Sequence, residues 1–205
     1  MWAKYIFGAL FGPPDESNIL SDLKISIDDS EETGGSFEHR VFKQFFEDEI
    51  QASLQIKERW EKRSPPTPLT LSAILAELKS VPHQLDQPKA SHHWLARDQD
   101  ILTVSENAEI FFHTVREFIN QRRELIGTME FDKDDDLCMD FVASAANLRM
   151  AVFGIEMQSR FAIKGIAGNI VHAIATTNAI AAGLIVLEAL KVCWIKWVQY
   201  VMIGA

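Results

Sequence analysis

The sequence predicts a mainly α fold, and three stretches carry that expectation. Apolar residues fall at Leu137, Phe141, Ala145, Leu148, Val152 and Ile155, steps of three and four that put one stripe on a helix face. After Ser105, the residues Phe111, Val115, Phe118 and Ile119 line one face of a second helix. Arg116, Glu117, Arg122 and Arg123 lie outside that face. From Ile166 to Leu187 no residue is charged. A helix apolar nearly all round is expected to be buried nearly all round.

Met1 to Phe11 reads as a short helix with Trp2, Tyr5, Ile6, Ala9 and Leu10 on one face, stopped by Gly12-Pro13-Pro14. Residues 15–36 carry seven acids against Lys24 alone and little to bury, the pattern of a mobile acidic loop. Phe37, Val41, Phe45, Ile50, Leu54, Ile56 and Trp60 suggest two short helices or one broken helix. Prolines 65, 66 and 68 force an extended path after it. The cations Lys57, Arg59, Lys62 and Arg63 suit that negative helix end as a solvated group. Thr70 or Ser72 starts another helix through Leu78, and a polar connection runs from Ser80 to His93. Ser105 is the expected N-cap of the next helix. Leu125 to Phe131 reads as a short strand or extended link. Among Asp132, Asp134, Asp135 and Asp136, either of the last two can cap the helix that begins there.

The totals bound the function. A chain of 205 residues can hold one good core or two small domains. A hydrophobic fraction of 47% with 24% charged residues is that of a folded soluble protein. The net charge of −9 argues against nucleic acid, which asks for a basic face. Two cysteines, Cys138 and Cys193, make no disulfide framework, so a reducing compartment is expected. Met1-Trp2-Ala3-Lys4-Tyr5 does not open like a secretory signal peptide.

Several uncommon words occur in a fixed order: Trp2-Ala3-Lys4-Tyr5, Leu10-Phe11-Gly12, FDKDDD at 131–136, MDF at 139–141, SAANLRM at 144–150, IAGNI at 166–170, and AIATTNA continuing to AGLIVLEALK at 173–191. In these words the chain resembles the enzymes that activate ubiquitin and ubiquitin-like modifiers, and most closely their SUMO-activating branch. The resemblance implies the helical part of a catalytic-cysteine domain over 1–131, with the acidic loop at 15–36. Residues 132–191 would then be C-terminal helices of a Rossmann-like α/β adenylation domain, and 192–205 an unmatched hydrophobic tail. It implies an enzyme that, in full, adenylates the modifier C-terminus with ATP and Mg and carries it as a cysteine thioester. Its partners would be a smaller SUMO-activating subunit, SUMO and a SUMO-conjugating enzyme, in the nucleus or also the cytoplasm. In that family the nucleophilic cysteine comes just before the segment matching Met1, and the nucleotide ligands lie further upstream. The chain alone is therefore expected to be inactive, with no catalytic, cofactor or metal residues. The alternative is a non-catalytic, truncated protein that binds the conjugating enzyme or the smaller subunit.

The residues themselves agree with that modest expectation. No Gly-x-Gly-x-x-Gly turn is present, and Gly165 with Gly168 is only a partial echo. Cys138 stands near a helix start, which favours a thiolate, but Asp134, Asp135, Asp136 and Asp140 oppose it, so a structural cysteine is expected. Cys193 has only Lys191 and Lys196 nearby, too little to suggest catalysis. His113 and His172 lie among apolar residues as packed histidines, His172 where the family typically has proline. His92-His93 lacks the further ligands a metal needs. The long apolar run reaches membrane-spanning length, but Asn169, His172, Thr176, Thr177 and Asn178 dilute its first half, and Glu188, Lys191 and Lys196 interrupt the stretch after it. A buried helix is the better reading there.

Overall fold

The computed structural model describes residues 1–13, 36–80, 98–169 and 174–203, without the side chains of 198–203. The acidic loop, apart from Ser36, the connection after Ser80 with His92 and His93, and His172 lie outside the described residues. Helices dominate, and no strand occurs among the described residues. They are α1 (Trp2–Phe11), α2 (Phe37–Lys43), α3 (Glu49–Gln55), α4 (Leu71–Ser80), α5 (Val104–Gln121), α6 (Asp136–Val152), α7 (Arg160–Ala167) and α8 (Ala175–Ile203). They fall into two units, 1–169 and 170–205.

Helix α6 is the axis of the first unit. Its expected stripe is buried at Phe141, Ala145, Leu148 and Val152, while Ile155 lies beyond the helix end and is exposed. Cys138, Met139, Val142 and Ser144 are buried as well, because α1, α5 and α7 all pack on it. Phe141 supplies the centre, with its ring 5.8 Å from Phe7, 5.5 Å from Phe11 and 5.3 Å from Phe111. Tilted and edge-on ring pairs of this kind add to area burial. Helices α1, α5 and α6 share one core.

Helix α1 turns a different face inward from the one expected. Ala3, Ile6, Phe7 and Phe11 are buried, whereas Tyr5 is exposed. Steps of three and four link that set too, and the ring cluster around Phe141 selects it. The helix stops where a Cβ on Gly12 would stand 2.6 Å from the Gly8 carbonyl oxygen, a contact only glycine escapes. The Phe11 carbonyl oxygen then accepts from the Gly127 and Met129 N–H groups, at 2.8 and 3.2 Å. Gly127 has φ +94, which favours glycine. Leu125 ends a 3-10 turn and residues 126–128 form a turn closed by Thr128 N–H to the Leu125 carbonyl oxygen at 3.0 Å, so the link begins as a turn and not as the strand or extended segment expected.

The broken helix from Phe37 is one rod widened by a π turn at Gln44–Asp48. The wide turn admits Val41, Phe42, Phe45, Phe46 and Ile50 to the core together. It also leaves the Phe46 carbonyl oxygen for Leu69 N–H, at 3.0 Å, while Glu47 Oε2 accepts from Leu71 N–H at 3.1 Å. The proline-rich link is thereby tied down, and α4 starts at Leu71. At the other end of that link Thr67 N–H reaches the Val152 carbonyl oxygen, at 2.8 Å.

The N-cap of α5 is Thr103, not Ser105. The Thr103 hydroxyl accepts from Glu106 N–H at 3.3 Å, and the Glu106 carboxylate accepts from Thr103 N–H at 2.8 Å. This reciprocal pair satisfies two donors, so it outcompetes a lone serine two residues on.

Helix α8 forms the second unit by itself among the described residues. Every side chain from Ile174 to Trp197 is exposed. The uncharged run is divided, since α7 ends at Ala167 and Asn169 takes φ +50 before α8 begins at Ala175. Apart from its polar first turn and Glu188, Lys191 and Lys196 the surface is apolar, and this unit has no second element among the described residues to bury it. The helix continues unbroken past Lys191 to Ile203. Ala175–Trp197 is long and apolar enough to cross a membrane by length and composition, with a mean hydropathy of 1.7.

Candidate functional site

The chemistry-bearing residues gather at the start of α6. Asp135 caps the helix, its Oδ1 accepting from Leu137 N–H at 3.0 Å. The same carboxylate takes two bonds from the Arg122 guanidinium, and the Cys138 thiol donates to Oδ2 at 3.3 Å. Burial would raise the Asp135 carboxyl, but these donors outweigh it and hold it below its ordinary value. The reverse holds for Cys138. Burial, then the hydrogen bond and charge of Asp135, push the thiol up to about 12. A group so rarely ionised, and 1% exposed, is a packed thiol and not a nucleophile. Cys193 is exposed on α8.

A second polar cluster closes the junction of α5, α6 and α7. Arg160 donates from Nε to Asp140 at 2.5 Å, from Nη1 to Asp98 at 3.0 Å and from Nη2 to Asp136 at 2.9 Å. Burial pushes the Asp140 carboxyl up, and Arg160 pulls part of that shift back. His113 on α5 adds a smaller downward pull on Asp140, so this histidine faces an acid and not only apolar neighbours. Asn147 bridges the same junction. Its Nδ2 donates to Asn107 Oδ1 at 3.2 Å and to the Gln158 carbonyl at 2.9 Å, and its Oδ1 accepts from Gln158 N–H at 3.0 Å. Asp140, Asn147, Ser144 and Arg160 border a cavity of about 20 Å³, room for one water.

These positions explain part of the unusual wording. Asp140 in MDF and Asn147 in SAANLRM close buried polar contacts, as does Arg160, so each needs its own functional group. The sequence alone did not reveal Arg160. Its partners lie 20, 24 and 62 residues away, and only the i, i+4 pair Asp136 and Asp140 hinted at a missing cation. Gly165 lies within α7 and not at a strand-to-helix turn. No group of His, Cys, Asp and Glu fit for a metal occurs among the described residues.

Residues 72–164 match the family described as ubiquitin-activating enzyme, SCCH domain. Over 94% of its length the chain is 38% identical to SUMO-activating enzyme subunit 2 of Dictyostelium discoideum, covering 32% of that protein. It is 32% identical over 94% of its length to SUMO-activating enzyme subunit uba-2 of Caenorhabditis elegans, covering 36%. Over 74% of its length it is 35% identical to a ubiquitin-activating enzyme E1-like protein of Saccharomyces cerevisiae, covering 22%. The chain thus spans about a third of the length of the first two relatives. The chain is similar to the SCCH domain of ubiquitin-activating enzymes over residues 72–164, and to part of SUMO-activating enzyme subunit 2 over most of its own length.

Proposed function

We propose that this chain is a scaffold portion of a SUMO-activating subunit. The match of 94% of this chain to about a third of SUMO-activating enzyme subunit 2 carries the reading. In full, such a subunit adenylates the modifier C-terminus with ATP and Mg, takes it as a cysteine thioester and delivers it to the conjugating enzyme. Residues 132–191 act as the return into the adenylation domain; for the complete subunit, the smaller activating subunit is the stable partner and the nucleus is the place of work. The chain alone loads no SUMO, because Cys138 is buried with its thiol pushed up to about 12. Incubation with SUMO, MgATP and the smaller subunit tests this. No reducible SUMO adduct is expected, and one that disappears on Cys138→Ser overturns the assignment.

The exposure of α8 along its described length favours a second reading, a non-catalytic chain that binds other proteins of the pathway. A pull-down with the smaller subunit and the conjugating enzyme separates the two. A scaffold portion that cannot act alone captures neither.

A further inference from the structure

Two hydroxyl residues stand directly before proline: Ser64 before Pro65 and Thr67 before Pro68. Both lie in the link between the 3-10 turn Lys57–Trp60 and α4, and both are exposed. Their backbones are held differently. Thr67 N–H donates to the Val152 carbonyl oxygen at 2.8 Å, and Leu69 N–H to the Phe46 carbonyl oxygen at 3.0 Å. Pro66, just before Thr67, is buried. Thr67 is therefore pinned to the core on both sides. No hydrogen bond engages Ser64 among the described residues, and Glu61, Lys62, Arg63 and Pro65 beside it are all exposed. The residue types themselves ask for that exposure. Glu61, Lys62 and Arg63 have no ion-pair partner among the described residues, so any cover would desolvate three charges without compensation.

We propose that Ser64 is a phosphorylation site for a proline-directed serine/threonine kinase. Such an enzyme takes its substrate as an extended chain with proline just after the hydroxyl residue. Pro65 biases Ser64 toward extended backbone, and no bond to the core has to break for residues 61–65 to be engaged. The Ser64 Oγ attacks the γ-phosphorus of MgATP. A new Oγ–P bond replaces the bond to the leaving ADP, and the hydroxyl proton passes to the kinase's catalytic aspartate. Thr67 carries the same dipeptide, yet reaching it means peeling the link away from Val152 and Phe46 and uncovering Pro66. The phosphate adds a charge of about −1.5 to −2. It thereby offsets the cations Lys57, Arg59, Lys62 and Arg63, which outnumber Glu58 and Glu61 in the same stretch. The site is a charge switch on that surface, and it does not depend on the SUMO-related reading.

Incubation of the full 205-residue chain with MgATP and a mitogen-activated protein kinase, followed by intact mass and peptide mapping, tests it. A single phosphate at Ser64 is expected. Ser64→Ala should lower the rate of incorporation about tenfold or more, because Thr67 becomes reachable only through local opening of the link. Thr67→Ala should leave the rate within about twofold, since its N–H is retained. Circular dichroism checks that both variants keep their helix content. No incorporation into the full chain overturns the proposal. So does phosphate placed first on Thr67, or a Ser64→Ala chain that is phosphorylated as fast as the parent.

Discussion

Arg160 Nε meets Asp140 Oδ1 at 2.5 Å across the α6–α7 contact, and each side chain is only 9% exposed. Removing the cation leaves a buried carboxylate beside Asp136 and Asp98. Arg160→Met is expected to cost about 3–5 kcal/mol in denaturant unfolding. Asp140→Leu combined with Arg160→Met should recover much of that loss, since neither charge is then stranded. A double variant as weak as the sum of both singles would contradict the pairing.

Asp135 predicts a pH dependence. Its folded carboxyl lies below its ordinary value, as burial is outweighed by the bonds from Arg122, Cys138 and Leu137 N–H. The contribution is therefore present at neutral pH and fades as pH falls below about 4, through the folded value. Asp135→Asn retains a good N-cap, so it removes chiefly the charge. It should be less stable than the parent at neutral pH and close to it once pH has fallen through the folded value of Asp135. Equal deficits at both pH values would count against the ion pair.

The two cysteines should differ in reactivity. Native chain treated with iodoacetamide near neutral pH should gain one adduct, at exposed Cys193, and a second only after unfolding. Peptide mapping that finds Cys138 modified first refutes the buried, Asp135-bound thiol.

The capping box at α5 separates two neighbouring hydroxyls. Thr103→Ala should cost about 0.5–2 kcal/mol, and Ser105→Ala less than about 0.5 kcal/mol. Comparable losses would mean that the cap is shared.

Local pattern revealed most of the fold. Periodicity placed α1, α4, α5 and α6, and the acidic residues before α6 narrowed its cap to Asp135 or Asp136, of which Asp135 takes the position. It failed where two local solutions were nearly equal. Ser105 and Thr103 are both good caps, but only Thr103 has Glu106 at the reciprocal position. Similarly, α1 has two greasy faces, and contacts with Phe118 and Phe141 decide between them. The Arg160 cluster joins residues up to 62 positions apart, beyond any helical period. The apolar surface of α8 was legible from its uncharged run, but a sequence does not show what covers such a surface.

A chimera tests the scaffold claim most directly. Residues 1–191 of this chain replace the matching part of the Dictyostelium SUMO-activating enzyme subunit 2, with the host supplying everything else. Assembled with the smaller subunit, the chimera is expected to form a SUMO thioester that requires ATP and disappears with reductant. A folded, assembled chimera that loads no SUMO contradicts the claim that this chain is the scaffold of such an enzyme.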